Sequence, residues 1–151
     1  MYLCLKRPMT APDRRLIWLL SRAQRRVVAE ADMSLEKLGL TSTQAGALFC
    51  VRSADGITIG ELADQLDLAQ SAASGLAQRL EAAGLVQRSV NPNDGRSVRL
   101  VLTKLGKRRR EETMKIAHAG NARLGAGFSS AEIAIVARWL AHIGTGTETE
   151  K

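Results

Sequence analysis

The sequence predicts a mainly helical protein with one small β-sheet, an α+β fold, and two adjacent stretches carry this prediction. Residues 68–84 place leucines and alanines at helical spacing and end at a glycine that can terminate a helix. Residues 86–103 hold two runs of strand-forming residues around a cluster of turn formers, NPNDG, at residues 91–95. A helix followed directly by such a hairpin indicates a winged helix.

One face of the predicted helix is short, polar and uncharged. Ser71, Ser74, Gly75 and Gln78 recur at helical spacing, so they project together on the side opposite the leucines. An ordinary solvated face more often carries Lys and Glu. Small hydrogen-bonding groups suit a helix that lies in the major groove and contacts base edges. We therefore predict that residues 68–84 form a DNA recognition helix.

The hairpin carries arginines around its predicted tip. Asp94 and Arg96 lie at the turn, and Arg88 and Arg99 lie on the flanking strands. A protruding loop that presents an arginine suits the minor groove, where negative potential is concentrated. The hairpin is therefore predicted to be a DNA-binding wing.

The distribution of charge agrees with a polyanionic partner. The 151 residues carry a formal charge of +7, which does not by itself distinguish nucleic acid from a membrane surface. Between Leu68 and Arg110, however, nine basic residues face only two acidic ones, so this stretch alone has a net charge of +7. Residues 55–67 hold four acidic residues and no Lys or Arg. This asymmetry indicates a directed electrostatic footprint.

Other classes of protein find little support. No apolar run approaches the roughly 18 residues of a membrane span, and the first ten residues lack a secretory signal, so we expect a cytoplasmic protein without a membrane partner. Two cysteines do not make a disulfide framework. His118 and His142 are far apart in sequence, so neither a metal site nor a cofactor is expected. Cys50 with a histidine is the only conceivable nucleophile–base pair, and an enzyme is not expected.

Before the recognition helix, the chain predicts a helix-turn-helix. A long amphipathic helix spans residues 13–38, and Thr41 with Gln44 forms a capping box for a short buried helix. Ile57 and Ile59 are compatible with a very short third strand. Thr58 and Glu61 then cap a helix that a tight turn separates from the recognition helix.

After the hairpin, Thr103 is predicted to cap a second long helix that begins with a basic run. This run is either solvated or in contact with DNA phosphates. The candidate phosphate contacts are Thr41, Ser42, Lys104 and Lys107. Gly125 and Gly127 indicate a break, and Ser129 with Glu132 opens a last helix whose apolar stripe contains Ile133, Val136, Leu140 and Ile143.

The small central lobe cannot cover all of these apolar stripes, which predicts a two-fold homodimer with its recognition helices about one DNA turn apart. The alternative is that the terminal helices pack on each other within one chain. We expect one domain over residues 13–143, with dimerisation helices at about 13–38 and 104–143 and the winged helix at about 41–103. Residues 1–12 and 144–151 are predicted to be flexible tails.

The sequence resembles the multiple antibiotic resistance regulator (MarR) family of bacterial transcription factors from Pro12 to Ile143. The matching motifs are LTSTQAGAL, ITIGELADQLDLAQSAASGLAQRLEAAGLVQR and NPNDGRSVRLVLTKLG. The resemblance implies a sequence-specific, homodimeric repressor of a pseudo-palindromic site on double-stranded DNA. A small aromatic or phenolic effector, bound between the dimer helices and the winged lobe, would release it.

The resemblance also implies roles for individual residues. Arg96 would enter the minor groove with Asp94 holding its guanidinium, and Asn93 would belong to the same wing. Arg79 would contact a phosphate or form an internal salt bridge. The residues that would contact bases and phosphates from the recognition helix are Gln70, Ser71, Ser74 and Gln78.

Two departures from the family pattern keep alternatives open. Ala69 stands where a capping residue is common, and Gly75 stands where a bulky or basic residue is common. Weak direct readout would favour an architectural protein that binds DNA without sequence preference. A second alternative is a thiol-based redox sensor that uses Cys50 or Cys4, although Cys50 lies among apolar residues typical of a buried, inert thiol.

Overall fold

The computed structural model describes residues 15–51, 56–91 and 94–144, and it leaves out the side chains of residues 91 and 94–97. These ranges form six α-helices and three β-strands. In chain order they are α1 (Leu16–Leu35), α2 (Ser42–Cys50), β1 (Ile57–Thr58), α3 (Ile59–Gln65), α4 (Gln70–Ala82), β2 (Val86–Asn91), β3 (Asp94–Leu102), α5 (Lys104–Leu124) and α6 (Ser130–Gly144). The mainly helical fold with a small β-wing is confirmed.

The three strands form one antiparallel sheet in the order β1-β3-β2. Ile57 lies opposite Leu100, and Val86 lies opposite Leu102. The β2–β3 ladder extends to the pair Asn91 and Asp94, with an irregularity between Val90 and Asn91. The predicted turn over residues 91–95 is therefore too long, because only residues 92 and 93 separate the strands, and these two lie outside the described residues.

Most helix ends agree with the local signals in the sequence. The helix predicted to reach residue 38 is α-helical only to Leu35, continues as a 3₁₀ turn over Glu36–Leu38, and ends where Gly39 adopts a φ of 67°. Three capping boxes form as predicted: Thr41 with Gln44, Thr58 with Glu61, and Ser129 with Glu132. At the start of α4, Ala69 provides no side-chain cap.

The core lies between the short helices and the sheet. Leu48 of α2, Leu62 of α3, Leu76 and Leu80 of α4, and Leu100 of β3 are each at most 1% exposed. These side chains come from four elements that are distant in sequence, so burying them fixes α4 against the sheet. Burial of each leucine contributes about 1.5–3 kcal/mol.

The terminal helices are much less covered than this core. Near its C-terminal end α1 packs on α2 and α5, where Leu35 is 4% exposed. In contrast, α6 has no buried residue. The alternative in which the terminal helices cover each other within one chain therefore does not hold for α6. Across the described ranges, no helix is both long and apolar enough to span a membrane.

Gly106 gives a test of how α5 joins this lobe. A Cβ atom at this position would overlap the carbonyl oxygen of Leu85, which also accepts a hydrogen bond of 3.1 Å from the Thr103 amide. We expect Gly106→Ala to lower the free energy of unfolding by about 2–3 kcal/mol, because backbone must move to admit the methyl group. Urea unfolding at fixed protein concentration measures this loss.

Gly120→Ala is the matched control on the same helix. A Cβ atom there has no heavy atom within 4 Å, so the substitution should raise stability by about 0.5–1 kcal/mol through helix propensity alone. Equal effects of the two substitutions would contradict the close approach of α5 to Leu85.

Candidate nucleic-acid interface

The α4 helix has one buried face and one accessible face. Ala73, Leu76, Ala77 and Leu80 are at most 1% exposed and point into the core. On the accessible side, Ser74 and Gly75 are half-buried, and the remaining predicted recognition residues are exposed: Gln70, Ser71, Gln78 and Arg79. The chain itself therefore leaves this polar face open.

The side chains on this face have no internal role. Within the described residues, Gln70, Ser71, Ser74 and Gln78 make no side-chain hydrogen bond with another residue. The tight turn before α4 depends on Asp67, whose φ of 50° is in the left-handed region. An open face of hydrogen-bonding groups on the second helix of this turn is the arrangement that reads base edges in a major groove.

The arginines of the wing occupy different environments. Arg88 forms an ion pair of 3.1 Å with Glu81, and both side chains are about two-fifths exposed. Arg99 lies deeper: its Nη2 donates to the Gly56 carbonyl oxygen at 2.9 Å and to Glu61 at 3.3 Å. These contacts tie β3 to the residue before β1 and to α3, so Arg99 contributes to positioning the sheet, and its DNA contact stays a prediction.

Glu61 connects the start of α3 to this arginine. Its carboxylate accepts the Thr58 amide at 2.7 Å and the Thr58 hydroxyl at 2.9 Å. These hydrogen bonds, followed by the charge of Arg99, lower the pKa of Glu61 below its ordinary value. Since the folded-state pKa is lowered, the stabilisation is complete above the pKa of the unfolded chain, and it is lost as pH falls through the folded value.

The tip of the wing is described only by its backbone. Asp94 and Arg96 are the first and third residues of β3, which begins directly after residues 92 and 93. Asn93 lies outside the described residues. The predicted roles of Asp94, Arg96 and Asn93 therefore stay predictions that rest on the sequence.

Of the candidate phosphate contacts, Lys104 and Lys107 occupy the first turn of α5, immediately after β3, and both are exposed. Cations are unfavourable at a helix N-terminus, and the phosphate contacts of these two lysines stay a prediction. Thr41 is exposed but its hydroxyl caps α2, while the Ser42 amide donates to Asp32 of α1 at 2.6 Å. Ser42 also lines a crevice between α1, α2 and α5.

This crevice has a volume of about 540 Å³, and the sequence pointed to none of its lining residues except Ser42, which was a candidate phosphate contact. Its wall is mainly apolar, with Leu35, Phe49 and Ile116 among the lining side chains, while Arg26 and Arg123 are cationic residues in the lining. The lining also contains small residues at which neighbouring helices leave space: Ala31, Ala45, Gly46, Ala117 and Gly120. These alanines and glycines were the only sign of a crevice in the sequence. Which of them face one another depends on tertiary packing, so the sequence alone could not place the crevice.

Cys50 is half-buried and packs against the apolar core, and Cys4 lies outside the described residues. In the part of the chain that the structure describes, no group of three His, Cys, Asp or Glu side chains could hold a metal ion.

The fold and the open face of α4 define a DNA-binding winged helix-turn-helix protein. Residues 40–98 match the model of the MarR family. The chain is 32% identical over 104 residues to the HTH-type transcriptional regulator YwoH of Bacillus subtilis (strain 168), covering 69% of this chain and 75% of YwoH.

Solved structures of similar fold support the same family. CouR from Rhodococcus jostii RHA1, bound to p-coumaroyl-CoA, superposes with a TM-score of 0.83 at 26% identity, covering 93% of this chain and 99% of CouR. A cysteine-to-serine mutant of MarR from E. coli, complexed with operator DNA, superposes with a TM-score of 0.77 at 26% identity, covering 86% and 94% of the two chains. This chain belongs to the MarR family of transcriptional regulators, and its relatives are regulators and not enzymes.

Proposed function

We propose that this regulator is a homodimeric, sequence-specific repressor that binds a pseudo-palindromic operator and is released by a small aromatic or phenolic ligand. The observation that carries the proposal is the accessible polar face of α4, whose side chains make no hydrogen bond within the described residues. Leaving such donors and acceptors open on a well-packed helix provides groups for base edges.

Each element of the proposed interface contacts a different part of the DNA. In this proposal α4 lies in the major groove and contacts DNA through Gln70, Ser71, Ser74 and Gln78. The wing enters the adjacent minor groove through Arg96, and Lys104 with Lys107 contacts phosphates at its base. The operator complex of the E. coli MarR mutant, a protein of similar fold, supports double-stranded DNA as the partner.

The dimer follows from the apolar surface that the single chain leaves open. On α6, Ile133, Val136, Leu140 and Ile143 form one stripe, and each is between 37% and 49% exposed. At the start of α1, Ile17 is 86% exposed. A second copy that packs against α1, α5 and α6 would bury these side chains and present two recognition helices to one face of DNA. The winged lobe over about residues 41–103 would then be the DNA-binding part.

We propose repression because, unlike activation, it requires no contact between the regulator and another protein. A dimer on two half-sites one helical turn apart covers about 20 base pairs. If that site overlaps a promoter, the bound dimer excludes the polymerase without contacting it. An activator would require a dedicated surface for polymerase.

The crevice between α1, α2 and α5 supports the effector part of the proposal. Its apolar wall suits a flat hydrophobic body, and Arg123 suits an anionic group, whereas Arg26 is paired with Glu30 of the same lining at 2.9 Å. The volume of about 540 Å³ is in the range of small-molecule sites. CouR is bound to p-coumaroyl-CoA, an aromatic thioester with anionic groups, and this supports the same chemical class here.

A gel-shift experiment tests the DNA-binding proposal. The protein is titrated against DNA from upstream of its own gene and against a scrambled duplex of the same composition at about 150 mM salt, where specific sites bind at least about 1000-fold more tightly. Equal affinity would favour an architectural protein, an alternative that Gly75 and the missing cap at Ala69 support. Footprinting of the preferred duplex then defines the operator.

Gly120→Leu tests the effector site. A side chain at this position meets open space within the crevice lining, so it should fill the crevice without strain. We expect it to weaken binding of p-coumaroyl-CoA or p-coumarate by at least about 10-fold while operator affinity stays unchanged. Isothermal titration and gel shifts with added ligand measure the two effects.

Ala119→Leu is the control, because Ala119 is exposed on the same helix and does not line the crevice. Ligand release that survives in Gly120→Leu would place the effector elsewhere. Failure of both probes to bind the wild-type protein would overturn the proposed effector class and leave the DNA-binding proposal standing.

A further inference from the structure

Gly75 interrupts the polar face of α4 with a position that has no side chain. It lies one helical turn after Ser71 and one turn before Arg79, on the same side of the helix. The preceding turn supplies only short hydroxyl side chains at Ser71 and Ser74. Between Ser71 and Gly75 the polar face of α4 therefore carries only short side chains or none, which allows close approach to a groove floor.

Arg79 uses the space that Gly75 leaves. Helical side chains lean toward the N-terminus, so a residue covers the surface over the turn before its own Cα. In the structure, a Cβ atom added to Gly75 would lie 3.6 Å from Nη1 of Arg79. The guanidinium thus rests beside the bare backbone of Gly75, displaced toward the helix end that contacts bases in helix-turn-helix proteins.

Arg79 also differs from the other arginines near this face in having no internal partner. Arg88 is paired with Glu81, and Arg99 contacts Glu61. Within the described residues, the exposed Arg79 side chain makes no hydrogen bond or ion pair. Its donors can therefore engage DNA without the cost of breaking an existing ion pair.

We propose that Arg79 determines specificity by reading one guanine in each half-site, through the space left by Gly75. A guanidinium that reaches a base edge donates two parallel hydrogen bonds to O6 and N7 of guanine, a pattern that no other base pair presents at the same place in the major groove. This inference rests on the proposed function, because it requires α4 to lie in the major groove. It replaces the predicted phosphate contact or salt bridge of Arg79 with base readout.

Selection of binding sites from a randomised duplex library tests the inference. The wild-type protein should enrich a two-fold symmetric motif with a guanine at equivalent positions of both half-sites. Arg79→Ala should enrich the same motif with that position degenerate, its discrimination falling by roughly 5- to 150-fold. Circular dichroism and thermal unfolding confirm that each variant is folded.

Substitutions at Gly75 separate base readout from a general effect of charge. Gly75→Ala places its methyl group at an ordinary contact distance from the guanidinium, so it should reduce the guanine preference less than Gly75→Leu does. Gly75→Leu occupies the space that the guanidinium uses, and the preference should be lost although Arg79 is still present.

Two results would overturn the inference and leave the proposed function intact. One is an Arg79→Ala variant that weakens binding to all sequences alike, as loss of a phosphate contact would. The other is a Gly75→Leu variant that retains the guanine. If the wild-type protein enriches no motif at all, both the inference and sequence-specific regulation are wrong.

Discussion

Replacement of Arg96 by alanine is expected to lower operator affinity by at least about 30-fold, because a dimer loses one groove-inserted arginine from each wing at about 1–3 kcal/mol apiece. Arg96 lies on β3, two residues after Asp94, which pairs with Asn91 at the outer end of the hairpin ladder. The loss of affinity should become smaller as the salt concentration is raised, because a minor-groove arginine binds partly through the local negative potential of DNA. Fluorescence anisotropy with the footprinted operator at several salt concentrations measures both effects.

Two controls sharpen this result. Glu148→Lys changes the charge by two units at a residue outside the described ranges and in the predicted C-terminal tail, and it should leave affinity nearly unchanged. Arg96→Lys keeps the charge but loses the planar guanidinium, so it should recover only part of the affinity. If neither Arg96 variant changed affinity, the wing assignment would be wrong.

Elements whose limits depend on local chemistry could be predicted from the sequence. Thr58 and Glu61 are three residues apart, and a capping box requires only that spacing, so the start of α3 was predictable. The same holds for the polar and apolar faces of α4, because helical periodicity separates Ser71 from Leu76 without knowledge of any neighbour.

Features that depend on distant partners could not be predicted. Asp32 caps α2 from another helix, and the Nη1 of Arg110 donates to the Val51 carbonyl at 2.7 Å across 59 positions of sequence. Arg99 is a predicted DNA contact because it lies on a strand of the wing, and nothing in the sequence indicated that Glu61 and Gly56 would also contact it. The crevice depends on how three helices diverge, and periodicity carries no information about that.

The extent of exposure on α6 also required the structure. Its apolar stripe was visible in the sequence, but a stripe can be covered by its own chain. The structure shows instead that Leu140 is 42% exposed and Val136 is 49% exposed on a helix with no buried residue. The stripe is therefore the best place to test the proposed homodimer.

Leu140→Asp is expected to convert the dimer into a monomer of about 16.3 kDa. In a two-fold interface the substitution removes two buried leucines, each worth about 1.5–3 kcal/mol, and introduces two carboxylates whose burial without partners costs more. Light scattering after size exclusion measures the mass. Operator affinity should fall by about 100-fold or more, because two linked half-sites no longer bind together.

Arg138→Asp is the matched control on the same helix. Arg138 is exposed and lies on the side of α6 opposite the stripe, so it introduces the same carboxylate away from the proposed interface. Its charge change is larger than that of Leu140→Asp, and a purely electrostatic loss of DNA affinity would therefore be greater in the control. A Leu140→Asp protein that remains dimeric would exclude the α6 stripe as the interface. A monomer that binds the operator as tightly as the wild type would show that the two recognition helices do not act as a pair.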